Sequence, residues 1–226
     1  MRHGIPFLLF LAACVGDGGA DTALDSAPDS GDGAGLGCDP VSEHTRAAIV
    51  TDIDETLTTD DAEWIHQILD SDYDPAMRPD ADTLMNGYFE RGYRVFYVTA
   101  RGEDLGLLDG TGARAATEGW LDAHGFPYRS EDVFLADGVG ATGDDAVTYK
   151  HGVLTALAAA GSTVRWAYGN AETDIQAYQD AGLADDQIYL VGDLAGTLGV
   201  EPIPTADAYS AHAAAILPSL GCADGA

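Results

Sequence analysis

The sequence predicts an α/β domain: a parallel sheet with helices covering both of its faces. Two observations carry this. From Ala47 onward, short apolar runs alternate with stretches of helical spacing, the pattern of a parallel sheet buried on both sides. Three of the apolar runs also end in polar residues: Asp52 and Asp54, then Thr99, then Gly169 with Asn170. In such folds, ligands bind beyond the carboxyl ends of the strands.

Taken in order, "AAIV" is a strand leading into "TDIDETLT". "ADTLMNGYFERG" has helical spacing and a glycine stop, and "YRVFYVTARG" is a second buried strand. "ARAATEGWLDAHGF" reads as a helix with Trp120 and Leu121 facing inward, and "DVFLA" as a short strand. "TYKHGVLTALAAAG" is a helix that puts Lys150 near its start, followed by the strand "TVRWAYGN". "ETDIQAYQDAGL" is a helix, "QIYLVG" a strand and "ADAYSAHAAAIL" a final helix. No internal repeat is seen.

The 226 residues suit one domain with a processing segment and a linker. A hydrophobic share of 46% suffices for a full core. Asp and Glu number 38 against 10 Lys and Arg, a formal charge of -28. So acidic a surface argues against nucleic-acid partners and against adhesion to anionic membranes through charge.

The opening "MRHGIPFLLFLAAC" joins Arg2 to an apolar stretch, Ile5 to Ala13. It is shorter than the roughly 20 residues that span a bilayer and fits a secretory signal. "LAAC" resembles the bacterial lipobox, which makes Cys14 the expected lipidation site and residues 1–14 a lipoprotein signal peptide. The expected location is the cell envelope, extracytoplasmic and lipid-anchored. Residues 15–42, rich in Gly, Ala, Ser and Asp without apolar period, are expected to be a disordered acidic linker. About 25 such residues would span roughly 25–30 Å r.m.s.. The folded domain is expected over 43–222.

Four motifs carry chemistry. "DIDET" sets Asp52, Asp54 and Thr56 directly after a strand. Carboxylates two residues apart on extended chain point the same way, so the pair can share a cation or divide into nucleophile and acid/base. Thr99 offers a hydroxyl at the end of the second strand. Lys150, at a helix start, runs against the dipole preference and suggests neutralisation of an anion. "YGNAETDIQAY" supplies Asn170 and Asp174 after a strand; oxygen ligands on a tight turn suit a hard cation such as Mg2+.

Together these motifs resemble the haloacid dehalogenase superfamily of phosphatases, and within it the lipin/Nir type of domain, which includes phosphatidate phosphatases. The similar stretches run from about Ile49 to Gly192. The resemblance implies a three-layer sandwich around a parallel sheet. It implies that Asp52 attacks phosphorus and forms an acyl phosphate. Asp54 would protonate the leaving oxygen and then activate water. Thr56 would brace the loop, and Thr99 and Lys150 would hold the phosphoryl group. Mg2+ would be held by Asp52, the Asp54 carbonyl and Asn170, with Asp174 as direct or indirect support. Short gaps between the motifs leave no room for a large cap domain. The Gly-rich "EDLGLLDGTGA" departs from lipin, so head-group contacts do not carry over.

Cys38 and Cys222 flank the domain, and outside the cytoplasm such a pair is expected to form a disulfide. The partners implied are a phosphate-ester substrate, lipid-linked or soluble, and a membrane reached through the anchor; a monomer is expected. A module that binds phosphatidate without turnover is the competing reading, and the intact Asp52/Asp54 pair speaks against it.

Overall fold

The computed structural model describes residues 37–223. Cys14, the expected signal peptide and the linker as far as residue 36 lie outside the described residues. Among the described residues, no helix is long and apolar enough to cross a membrane.

Six strands form one sheet: β1 (Ala47–Thr51), β2 (Arg94–Gly102), β3 (Val133–Ala136), β4 (Thr163–Gly169), β5 (Ile188–Leu190) and β6 (Glu201–Pro202). The order is β3-β2-β1-β4-β5-β6, and every pairing is parallel. Thr51 pairs with Tyr97 of β2 on one side and with Tyr168 of β4 on the other. The chain departs from central β1 in opposite directions, so a crevice opens at the carboxyl ends of β1, β2 and β4, where such folds place ligands.

Strand alternation divides the core. Ala47 and Ile49 point to one face and Ala48 and Val50 to the other, all buried. Helices α2 (Ala81–Phe89), α3 (Ala113–Ala123) and α6 (Ser210–Ile216) cover the first face with Met85, Tyr88, Trp120, Leu121 and Ala213. Helices α4 (Asp144–Ala159) and α5 (Glu172–Asp180) cover the second with Leu154, Leu157, Ile175 and Tyr178. Burial of a side chain such as Leu121 contributes about 1.5–3 kcal/mol. Between β1 and β2 the chain forms only α2 and the short α1 (Ala62–Leu69), so among the described residues no large cap covers the crevice.

Two elements were not expected, and one expectation needs correction. Helix α1 has no counterpart in the sequence reading. Its buried face is Glu63, Trp64 and Gln67, while Ile65 and Leu69 stay exposed, so its apolar residues do not trace the core face. Helix α4 begins at Asp144, six residues before Lys150. Lys150 therefore lies mid-helix, and the dipole argument does not apply to it. Asp144 and Asp145 in the first turn favour this earlier start. Edge strand β6 is only two residues long and carries a proline, too little for apolar alternation to reveal.

Cys38 and Cys222 form a disulfide with Cα atoms 5.3 Å apart. The bridge lies near the turn before β2. The Ala223 N–H donates to the Arg91 carbonyl, and Arg91 donates to the carbonyls of Leu217 and Leu220. This is the amino-terminal edge of the sheet, opposite the crevice.

Candidate active site

Asp52 follows the last residue of β1, and its N–H donates to the Tyr168 carbonyl of β4. The chain then turns sharply. The N–H groups of Thr56, Leu57 and Thr58 converge on the Ile53 carbonyl. Glu55 sits in the left-handed region at φ 54°, a conformation that costs a non-glycine residue about 1–3 kcal/mol unless its surroundings hold it. They do: the Glu55 N–H donates to Thr58 Oγ1 at 2.9 Å, and its carbonyl accepts from Arg78 Nε and Nη2 at 3.1 and 2.9 Å. Arg78 is 3% exposed and also donates to the carbonyls of Thr59 and Ala206. Tyr209 donates to the Thr56 carbonyl.

Asp52 and Lys150 are both buried, and Lys150 Nζ lies 2.8 Å from Asp52 Oδ1 and 2.5 Å from Asp174 Oδ1. The other Asp174 oxygen accepts the N–H groups of Asn170 and Ala171. Both Asp174 oxygens thus have protein partners, and the residue supports the loop from behind. Gly169 is required beside it, because a Cβ there would lie 2.5 Å from the Asp174 Cβ. Thr56 Oγ1 lies 3.1 Å from Asp52 Oδ2 and 3.0 Å from Asn170 Oδ1.

Asp54 is held differently. Arg101 Nε and Nη2 grip both of its oxygens, and Thr99 Oγ1 donates to Oδ2 at 3.1 Å. The guanidinium is buried, stacks 4.3 Å from the Trp64 ring and donates to Thr117.

The seven residues expected from the sequence therefore come together. Asp52, Asp54, Lys150, Asn170 and Asp174 line one cavity of about 250 Å³, with Thr56 and Thr99 bonded to its walls. It shares Asp54, Asp61, Ala100, Ala141 and Thr142 with an adjoining open cleft of about 460 Å³, which Trp64, Leu105 and Val139 make more apolar.

Burial lifts the Asp52 carboxyl to about 7, against the pull of Lys150 and with Asp174 and Asp54 adding to the rise. Burial works to lower the Lys150 ammonium, but Asp174 and then Asp52 outweigh it and raise its pKa above the usual lysine value. These directions describe one buried triad: two carboxylates share one ammonium and are a positive charge short. A divalent cation fits that shortfall. Among the described residues no three His, Cys, Asp or Glu side chains group as a metal cage. The fit here rests instead on Asp52 Oδ2 and the amide oxygen of Asn170, which share one hydroxyl partner. An all-oxygen donor set of this kind suits Mg2+.

Arg101 and Glu55 did not stand out in the sequence. Arg101 had a signal: two residues beyond Thr99 on an extended chain, it leaves the same side of the strand. Glu55, one among 38 acidic residues, had none.

Comparisons with known proteins give the family of the chain. The family model described as "PITM 1-3, LNS2 domain" matches residues 49–192. Protein retinal degeneration B of Drosophila melanogaster is 29% identical over 144 residues, covering 63% of this chain and 10% of the fly protein. This chain thus spans about a tenth of that relative's length. A solved structure of class C acid phosphatase from Bacillus anthracis with tungstate bound aligns with a TM-score of 0.45 and 16% identity, over 71% of this chain and 68% of that one. With the family match running through all four motifs, the chain belongs to the LNS2 domain family.

Proposed function

We propose that this domain is a metal-dependent phosphomonoester hydrolase of the haloacid dehalogenase type, working through an aspartyl-phosphate. The supporting observation is the convergence of Asp52, Asp54, Lys150 and Asn170 on one cavity at the carboxyl ends of β1, β2 and β4. Membership of the LNS2 family supports the same reading.

In this reading an Asp52 oxygen attacks phosphorus as the bond to the leaving oxygen breaks, and Asp54 gives that oxygen a proton. Asp54 then takes a proton from the water that attacks the acyl phosphate, which frees Asp52 and inorganic phosphate. Lys150 neutralises charge on the transferring group. Thr99, expected from the resemblance to hold the phosphoryl group, is buried and donates to Asp54 Oδ2 instead, so in this reading it joins the Arg101 fork in keeping Asp54 in one orientation. Asp52 and Asn170 would hold the cation together with the Asp54 carbonyl, and Asp174 anchors the loop behind them. When bound, the metal screens the anionic substrate from the carboxylates.

The partly apolar cleft supports phosphatidate or another lipid-linked phosphate as substrate. The proposed domain spans 43–222, with Cys14 as its lipid anchor in the cell envelope, both carried over from the sequence alone. The test is phosphate release by the purified chain from phosphatidate in mixed micelles and from a panel of soluble esters, with and without a chelator. Mg2+-dependent turnover of phosphatidate above the soluble esters is the expected result. Tight phosphatidate binding with no release from any ester would move the domain to the class of binding modules.

A further inference from the structure

An amide ligand, unlike a carboxylate, has a wrong end. Asn170 can offer a cation its Oδ1, but its Nδ2 carries two protons and would repel one. Something must decide which end faces Asp52. In this chain Glu55 occupies the other side: Asn170 Nδ2 donates to Glu55 Oε2 at 3.0 Å, while Oδ1 faces the Thr56 hydroxyl at 3.0 Å. Rotated by half a turn, the amide would press Oδ1 against the Glu55 carboxylate, two acceptors with no proton between them. Glu55 also keeps a left-handed backbone that suits glycine better, with its N–H and carbonyl fixed by Thr58 and Arg78. Backbone strain persists at sites where the surrounding structure enforces it, and it clusters at functional positions.

We propose that Glu55 is a positioning residue for the metal centre: its carboxylate takes the Asn170 amide nitrogen and so turns the amide oxygen toward Asp52. This rests on the metal-dependent reading above. Partners that orient a metal ligand typically change metal affinity by about 10–100-fold when removed.

The experiment is calorimetric titration of Mn2+ and Mg2+ into the metal-free full chain, with thermal melts of the same samples. Glu55→Gly and Glu55→Ala are expected to weaken cation binding by about 10–100-fold. Glu55→Gln, whose Oε1 still accepts from Nδ2, should stay within about threefold of wild type. Metal-free Glu55→Gly should melt at or above wild type, because glycine accepts the left-handed φ. The decisive arm is the Asn170→Asp background. There either oxygen can face the cation, so Glu55→Gly should no longer weaken binding, a coupling that a purely structural role would not produce. Wild-type affinity in Glu55→Gly, or equal losses with Asn and Asp at position 170, would overturn the inference. So would Glu55→Gln binding as weakly as Glu55→Gly. A wild-type chain that binds the cation but releases no phosphate from any ester would sink the hydrolase reading alone. A chain that releases phosphate yet binds neither cation would sink this inference and the metal dependence together.

Discussion

Arg101 grips Asp54 with two arms, Nε 2.9 Å from Oδ2 and Nη2 2.7 Å from Oδ1, while its plane lies over the Trp64 ring. This fork ties the turn after β1 to the end of β2 and to α1. It gives the two motif carboxylates different company: Asp54 has a guanidinium to itself, whereas Asp52 shares one ammonium with Asp174.

That division predicts the effects of neutralising each acid. Asp52→Asn removes the nucleophile of the proposed mechanism and should lower metal-dependent phosphate release by more than about a thousandfold, with circular dichroism unchanged. Asp54→Asn should be nearly as damaging, with acyl-phosphate formation outlasting turnover in a radiolabelled phosphate trap. Wild-type turnover in purified Asp52→Asn would remove the covalent mechanism.

The fork itself is tested by Arg101→Lys, which keeps the charge but loses the bidentate geometry and much of the stacking on Trp64. A displacement of about 1 Å in a positioned group costs on the order of a hundredfold. We expect kcat to fall by about 10–100-fold while KM moves less, as steady-state kinetics would show. Arg101→Ala should also destabilise the fold by about 3 kcal/mol, because it leaves a partly buried carboxylate without its partner.

Asp52 makes a prediction about pH. Its carboxyl is raised in the folded chain to about 7, so between the ordinary aspartate range near 4 and about 7 the folded state holds a proton that the unfolded state has released. Stability from this group therefore falls as pH rises through that window and levels off above it. In the metal-free protein, the melting temperature of wild type minus that of Asp52→Asn should decline from about pH 4 to about pH 7. Bound Mg2+ competes with the proton and should flatten the difference. A difference that rises with pH in chelator would contradict the burial argument.

The Cys38–Cys222 bridge closes a loop with a sequence separation of 184. An ideal chain-entropy treatment values such a loop at about 5 kcal/mol, and measured values usually fall below that. Cys38→Ser should therefore lower the denaturation midpoint without changing kcat or metal affinity, because the bridge sits at the edge of the sheet opposite Asp52. Equal stability of the reduced and oxidised protein would show that the clasp adds nothing.

Anchoring is tested at Cys14. Mass spectrometry of the mature chain should find an acylated cysteine at the new amino terminus, and Cys14→Ser should release the domain from the membrane fraction or leave it unprocessed. A mature chain that starts elsewhere without acyl groups would refute the lipoprotein reading.

Most of the sheet was legible because a buried parallel strand is a continuous apolar run, as in "AAIV" and "FYV". The strand-end polar residues then marked the crevice. What escaped had no periodic signal. Helix α1 turns Ile65 and Leu69 outward. Lys150 lines the cavity with Asp52 and Asp174, but the helix-start argument for singling it out fails, since α4 starts at Asp144. Arg101 and Glu55 act through contacts across the crevice, with Asp54 and Asn170 respectively. Such pairings arise only once β1, β2 and β4 are side by side; the two-residue spacing from Thr99 marks the side of the strand that Arg101 leaves, but no local pattern records the partner of either residue.

The clasp has a mechanical consequence. Cys38 and Cys222 leave the domain at nearly one point. Tension applied between a segment ahead of Cys38 and one beyond Cys222 would run along the disulfide and bypass the sheet. A tug on the leading segment alone would enter beside Arg91, at the end of the strands farthest from Asp52. Strand β1, which leads into Asp52, is then not the first element to shear, and the crevice can stay aligned while the leading segment is under load.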